Sequence, residues 1–446
     1  MKRDVSGIEK STTKGKSAKA RVQVPDYCDV LPVRNDEGEI VWPAPEEAME
    51  GARRFIKDCV AAGEKALIVP DKDADGLSSG VILYRALIAL GLPAAMIDVH
   101  LKQKGMDIHQ SIEREAMEAK EPAFVFVLDQ GSIAAPAIVN AEGTRSLVID
   151  HHLSDEFPEG AEVVSACHYP PVATSSLLTY EICKTLHHSL EGSCAYLACI
   201  GTHGDLGNTL KWNPPFPDMA ATLKEHSRKA IQDAVALLNA PRRTARYDVQ
   251  TAWEALLEST KPKDLLLNKR LLMARAEIND EVERHTHTPP KFSKDGKIAV
   301  LRINSAAQVH PVIATRWAGY LNSKALEIVM VANSGYLPGL VNFSCRIARC
   351  ARARDPPVNI IESLKAAADL STEGLSERLG TSFARGHKEA SGGIVPSEAF
   401  EELMVLLKVG EKPDKVEGDS PARKKQKTID TSPQKNTLGN YFKAKT

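Results

Sequence analysis

The sequence predicts an α/β protein: a parallel-sheet domain, a helical connector and a smaller second α/β domain. Three observations carry that expectation. Apolar, strand-like runs at 65–70, 95–99, 123–128 and 146–150 alternate with helical spacing at roughly 77–90, 108–118 and 133–140. Such alternation implies a parallel sheet with helices on both faces. Three of the runs end in an acid, at Asp71, Asp129 and Asp150, and three at equivalent strand ends point to a common site. After a Pro- and Gly-marked linker, His287-Thr288-Pro289-Pro290 with Ser293-Lys294-Asp295-Gly296, the alternation resumes.

At 446 residues the chain is long enough for two or three domains, and its 43% apolar content is globular. The formal charge of −1 conceals basic ends. Residues 1–24 hold seven Lys and Arg against two acids and residues 411–446 nine against five, which leaves about −10 on the part between. A body of that sign does not bind nucleic acid by bulk charge, so any such binding must be local. The eight cysteines form no C-x-x-C pair, which speaks for a reducing compartment and against structural zinc. No signal peptide is expected. The longest apolar stretch, 81–99, is broken by Arg85, Pro93 and Asp98, so no membrane span is expected either.

Residues 1–44 read as a mostly disordered arm, Lys-, Ser-, Thr- and Gly-rich over 1–24. An amphipathic helix is expected over 45–62. The first strand then runs into Asp71-Lys72-Asp73-Ala74-Asp75-Gly76. Carboxylates at i, i+2 and i+4 leave the C-terminal end of a strand on one side, which is where open α/β sheets bind ligands. Clustered acids repel one another and persist beside cations, for which hard divalent metals are the usual answer. An EF-hand loop shares the D-x-D-x-D-G pattern but needs a Glu at its twelfth position, where Ile82 stands, and a helix before it.

The second strand end is Leu128-Asp129-Gln130-Gly131 and the third Ile149-Asp150-His151-His152. Taken singly, an Asp after a strand more often starts a turn or caps a helix, and a His pair is commonly a polar loop. Taken together they supply the oxygen and nitrogen ligands of a paired-metal site.

With Asp150-His151-His152 in place beside the acidic turn, Asp129 and Gly201-Thr202-His203-Gly204-Asp205, the chain resembles the DHH phosphoesterase superfamily, in which these four motifs bind two metal ions. The resemblance implies two divalent ions, Mn²⁺ or alternatively Mg²⁺. Asp71 or Asp73 with Asp129 would hold one, Asp75, His151 and Asp205 the other, with Asp129 bridging and His152 facing the scissile phosphate. Asp129, His152 and Asp73 are then the expected catalytic set. By the same token residues 45–218 would be the DHH catalytic domain.

Residues 219–238 and 248–283 are rich in helix formers and read as a helical connector spanning 219–290. Within it Asn239-Ala240-Pro241-Arg242-Arg243 is similar to the N-A-x-x-R turn of RecJ-type single-strand DNA exonucleases, and Asn268-Lys269-Arg270 to their connector, which implies substrate contacts from Asn239 and Arg243. The second domain, 297–410, has strand-like segments at 297–303, 326–332 and 340–345 and helices near 311–321 and 358–368. It resembles the DHHA1 domain in Val309-His310-Pro311-Val312-Ile313-Ala314, in Phe343-Ser344-Cys345-Arg346 and in Gly386-His387-Lys388-Glu389-Ala390-Ser391-Gly392-Gly393. Ser344, Arg346, Gly386 and His387 are its implied substrate residues; glycine permits close backbone approach and Arg offers a fork of donors to phosphate. The family's turn usually has Gly where Ala384 and Arg385 stand.

Residues 411–446 read as a disordered tail with two short features. Arg423, Lys424, Lys425 and Lys427 form a basic cluster of nuclear-import type. Leu438, Tyr441 and Phe442 have the i, i+3, i+4 spacing of a one-turn helix that fills a groove. The stretch 435–442 resembles the box that binds the replication sliding clamp (PCNA), with Lys435 where that box begins with Gln. The expectation is a nuclear, metal-dependent phosphodiesterase acting 5′ to 3′ on single-stranded DNA in replication or repair. The alternatives are a phosphodiesterase of short RNA, dinucleotides or polyphosphate, and a non-catalytic replication scaffold.

Overall fold

The computed structural model describes residues 31–412. Helix α1 (Glu46–Ala62) buries Met49, Ala52, Phe55, Ile56 and Cys59, and ends at Gly63 in the left-handed conformation (φ 65°). Phe55 meets Phe124 and Phe126 edge-on, ring centroids 5.5 and 5.2 Å away, which fixes the helix against the sheet.

That sheet is built from β1 (Ala66–Pro70), β2 (Ile97–Val99), β3 (Phe124–Leu128), β4 (Arg145–Asp150) and β5 (Glu162–Ser165), all parallel, in the order β2-β1-β3-β4-β5. The parallel α/β architecture is as expected. The strand order reverses between β1 and β3, the kind of switch point outside whose carboxyl ends ligands bind. β1 and β3 pair directly, Pro70 opposite Leu128, so Asp71 and Asp129 leave adjacent strand ends.

Helix α2 (Ala74–Ala89) follows β1, α3 (Ser111–Glu118) follows β2, and α4 (Ser175–Cys183) and α5 (Leu190–Asp205) follow β5. Two local expectations fail. The helix expected over 133–140 does not form: Gly131 takes φ 97°, Pro136 has no N–H to give a helix, and Ile138 and Val139 are buried under the sheet from an irregular crossover. The acidic turn is not an extended array either. Asp71 alone follows the strand, Asp73 caps α2, and Asp75 lies in its first turn, so the helix starts at Ala74 rather than 77.

The connector region consists of α6 (Ala220–His226), α7 (Arg228–Leu238), α8 (Val249–Glu258), α9 (Pro262–Leu267) and α10 (Lys269–Thr286). Ile231, Leu238, Ala252, Leu256 and Leu265 are wholly buried in the same core as α1, α2, α4 and α5. Helix α10 places Leu271 in that core and Ile278 and Val282 in the next one. A single continuous helix anchored at both ends is a stiff link between the two sheets.

The second sheet comprises β6 (Lys291–Phe292), β7 (Ile298–Ile303), β8 (Ile328–Asn333), β9 (Leu340–Ile347), β10 (Arg385–His387) and β11 (Ala390–Pro396), in the order β10-β11-β9-β8-β7-β6. Only β7 and β8 run parallel. Helix α11 (His310–Tyr320) packs with α10 on one face, and α12 (Ile360–Ala368), α13 (Leu375–Leu379) and α14 (Ser397–Leu406) on the other. Ala384 adopts φ 54°, the left-handed geometry that the family's glycine would supply.

Candidate metal centre and substrate cleft

The ends of β3 and β4, the N-termini of α2 and α4 and the C-terminus of α5 converge on the acids. The Asp73 Oδ1 accepts the N–H groups of Asp75 and Gly76 at 3.1 and 3.3 Å. The Asp75 carboxylate is buried against the N-terminus of α4, where the Ser175 N–H donates to Oδ2 at 2.8 Å and the Ser176 N–H to Oδ1 at 3.1 Å. Asp129, also buried, has φ 62°, a left-handed conformation that Asp tolerates better than most residues, and accepts the Ser175 hydroxyl at 3.0 Å. His151, next after β4, holds Nε2 3.3 Å from Asp129 Oδ1 and 3.2 Å from Asp205 Oδ2 at the end of α5.

That nitrogen is shut off from solvent yet makes no well-aligned hydrogen bond. A buried imidazole nitrogen facing carboxylates without a directed donor–acceptor pair is suited to a divalent cation. One ligand atom from each of Asp75, Asp129, His151 and Asp205 lies within 4.8 Å of the others, and the same is true of Asp71, Asp73 and Asp129, and of Asp129, His151 and His152. Asp129 is common to all three groups. The residues therefore fit divalent cations, each set offering hard oxygen with at most two nitrogens.

The electrostatics follow from burial and crowding. Burial, and then the Asp75 charge, raise the Asp129 carboxyl well above its ordinary value. Burial and Asp205 push Asp75 up to about 6. Burial opposes the charged form of His151, but its contacts with Asp129 and Asp205 win and raise it well above its usual value. Asp75 and His151 both hold protons more tightly folded than unfolded. Their contribution to stability is thus complete below their unfolded values and is lost as pH rises through the folded ones. Asp71 goes the other way: burial works against its ionisation, but Lys102 and Lys72 lower it, and its window lies below the ordinary carboxylate value. Metal-stripped protein is therefore expected to lose stability as pH rises from the ordinary carboxylate value through about 6, where Asp75 ionises, and on past the ordinary histidine value as His151 loses its proton. Mn²⁺ should restore it most at the upper end, because cation binding displaces those protons. Thermal melts with and without EDTA check this; a metal-free melting temperature that rises over the interval would contradict it.

Asp150, the third strand-end acid, has a different position. Its Oδ2 accepts the Ser132 hydroxyl at 2.6 Å, and its Oδ1 lies 2.8 Å from His152 Nδ1 and accepts the His151 N–H at 2.7 Å. The bond to Asp150 raises the His152 pKa and fixes its ring, whose exposed edge is left for the cleft. His203, inside the fourth motif, stacks on Trp212 and accepts its indole N–H at 3.3 Å; burial lowers it to about 4. It is a packing residue.

The substrate-side residues fall in two groups. Asn239 accepts Arg242 Nε at 2.9 Å, so it orients a neighbouring guanidinium. The Arg243 carbonyl accepts the Gln308 N–H of the second domain at 2.8 Å, while its own Nε is buried without a partner. Across the second domain a cavity of about 470 Å³ is lined by His310, Asn342, Ser344, Arg346, Arg385 and Gly386. Arg346 donates to the Ser344 hydroxyl at 2.9 Å and to the Cys345 carbonyl at 2.8 Å. Arg243 joins the two regions: Asp73 acts on its charge, and it acts in turn on His310. His387 closes β10 opposite Ala390; its side chain lies outside the described structure.

Several residues here were not anticipated. Ser175, Ser176, Ser132 and Lys102 carry no local signature, since folding alone brings them to the acids. Asn342 had a readable signal: residues 342, 344 and 346 alternate onto one face of β9. His310 stood in a quoted motif. Leu438, Tyr441 and Phe442, and Arg423, Lys424, Lys425 and Lys427, lie outside the described residues, as do residues 1–30. Among the described residues no helix is long and apolar enough to cross a membrane.

A model of the DHH family, N-terminal domain, matches residues 65–202. Residues 65–202 are a DHH-family domain. The DHH match contains the acidic turn, Asp129 and Asp150-His151-His152. Over 384 residues the chain is 23% identical to the single-stranded-DNA-specific exonuclease RecJ of Thermus thermophilus, a match covering 80% of this chain and 53% of that protein. The chain thus spans about half the length of that relative. Among solved structures, RecJ in complex with Mn²⁺ from T. thermophilus superposes with a TM-score of 0.55 at 18% identity, covering 82% of this chain and 55% of the other. An exonuclease RecJ bound to manganese superposes with a TM-score of 0.55 at 20% identity, covering 83% and 95%. The DHH domain and the domain that follows it therefore have a RecJ-like fold.

Proposed function

We propose that this DHH protein is a two-metal phosphodiesterase and, more finely, a 5′-to-3′ exonuclease of single-stranded DNA. The observation that carries it is the convergence of Asp71, Asp73, Asp75, His151 and Asp205 around a shared Asp129, with Arg243 between this cluster and the His310 side of the second-domain cavity. Asp75, Asp129, His151 and Asp205 would hold one cation, and Asp71, Asp73 and Asp129 the other. Bound there, two divalent ions supply a nucleophile at neutral pH and neutralise charge on the phosphoryl oxygens.

The chain's own residues do the rest. Asp150 and Ser132 set the ring of His152 so that its free edge donates to a phosphoryl oxygen as charge builds there. Arg346, steadied by Ser344, and Arg243 grip the flanking phosphates, and Asn239 aims Arg242 into the same field. Gly392 and Gly393 let the β11 backbone pass close to its neighbours opposite Ser344 and Phe343: a Cβ would lie 2.5 Å from the Phe343 carbonyl oxygen at Gly392 and 2.6 Å from that of Ser382 at Gly393. Support for the single-strand substrate comes from the likeness to RecJ and from the absence of bulk positive charge, which leaves local contacts to select the strand.

The test is Mn²⁺-dependent turnover of end-labelled single-stranded DNA, matched RNA and the dinucleotide pApA. Mononucleotides released from the 5′ end of DNA are expected. DNA left intact while the dinucleotide is cut would replace this substrate by the smaller one. Arg346→Lys should raise KM about tenfold with a smaller change in kcat, because Lys keeps the charge but loses the fork. We further propose clamp binding through 435–442 and nuclear import through 423–427. Replacing Tyr441 and Phe442 by Ala should abolish retention on immobilised clamp while leaving turnover of short oligonucleotides unchanged.

A further inference from the structure

We propose that the two halves of the acidic centre take up cations unequally, because Lys72 and Lys102 already occupy one of them, and that a bound phosphodiester draws these ammoniums away and admits the second ion. This rests on the centre binding metal. In the half formed by Asp75, Asp129, His151 and Asp205, the charges pressing hardest on Asp75 and Asp129 come from other acids and His151. The backbone N–H groups from α4 and the Ser175 hydroxyl orient those carboxylates without neutralising them.

The half formed by Asp71, Asp73 and Asp129 differs. Asp71 Oδ1 lies 2.5 Å from Lys102 Nζ and 3.4 Å from Lys72 Nζ. Lys102 is held there by Gln130, whose Oε1 accepts it at 2.8 Å. Asp73 spends Oδ1 on capping α2, and Arg242 adds a third positive charge in range of both acids. A divalent ion entering this half meets an Asp71 Oδ1 already held by two ammoniums, and those ammoniums repel it. An ammonium is not a ligand at neutral pH; it must be displaced. The Lys72 and Lys102 side chains are 28% and 11% exposed, so neither is sealed from an arriving anion. A phosphodiester arriving there offers them fresh anionic oxygens and frees Asp71. Loading of the second cation is then linked to substrate.

Binding of Mn²⁺ to the full chain, followed by calorimetry and by the EPR signal of free Mn²⁺, tests this without turnover. One tight ion and a second bound more weakly by about tenfold or more are expected, with the gap closed by a phosphorothioate-linked oligonucleotide. Lys72→Gln with Lys102→Gln should close it without the oligonucleotide. Lys72→Gln alone, at the more exposed position, should narrow it and guards against misfolding of the pair. Two equal sites in the unmodified protein would overturn the proposal, as would a gap that both replacements leave untouched while only melting temperature changes. No Mn²⁺ binding at all would overturn the metal centre itself, a distinguishable outcome.

Discussion

Asp129→Asn should lower Mn²⁺-dependent phosphodiester hydrolysis on the order of 10³-fold or more. Asp129 is the one carboxylate shared by all three groups of converging ligand atoms, so its loss weakens both cation positions. Cation clamping supplies several kcal/mol of transition-state stabilisation, and each ~1.4 kcal/mol is a decade in rate. Asn is the informative replacement because it tolerates the left-handed backbone at this position (φ 62°). Ala would add backbone strain to the loss of charge. The variant should also fold. Burial and Asp75 already raise the Asp129 carboxyl well above its ordinary value, so removing its charge relieves repulsion in the metal-free protein at neutral pH. The expected pattern is a metal-free melting temperature no lower than that of the parent, with the Mn²⁺-induced rise lost. Unchanged hydrolysis would remove Asp129 from the centre.

Gly201→Ala is expected to cost about 1–3 kcal/mol of stability and about 10²-fold in turnover, though residue 201 offers no chemistry of its own. Helix α5 passes so close to the start of α4 that a Cβ at 201 would lie 2.1 Å from the Ser176 hydroxyl oxygen and 2.6 Å from Asp75 Oδ1. The methyl group must push the cradle of Asp75 aside. Gly204→Ala is the control on the same helix: its nearest neighbour is the Ala74 Cβ at 3.2 Å, which asks far less movement. Calorimetric Mn²⁺ titration with a thermal melt separates lost binding from lost fold. A Gly201→Ala protein that binds Mn²⁺ like the parent would show that α4 does not position Asp75.

The α/β class was legible because apolar runs of strand length, separated by helical spacing, leave few ways to bury both faces of a sheet. The positions of Asp71, Asp129 and Asp150 at strand ends could be read for the same reason. Their separate roles could not. Asp71 pairs with Lys102, thirty-one residues further on, and Asp150 turns to Ser132 and His152; both contacts depend on which strands are neighbours. The crossover over 133–140 misled because its apolar residues mimic a helical stripe while Gly131 and Pro136 prevent one.

What residue order and type determined alone was the class of fold, the ligand chemistry of the acids and histidines, and the run of motifs along the chain. Packing decided the rest. It placed the N-terminus of α4 under Asp75, gave Asp73 to a helix cap, put the ammoniums of Lys72 and Lys102 on Asp71, and built α7 to α9 into the first core. Local propensity acts over a few residues. Burial joins residues a hundred positions apart, as in the Ser175 N–H that donates to Asp75, and sequence distance carries no record of it.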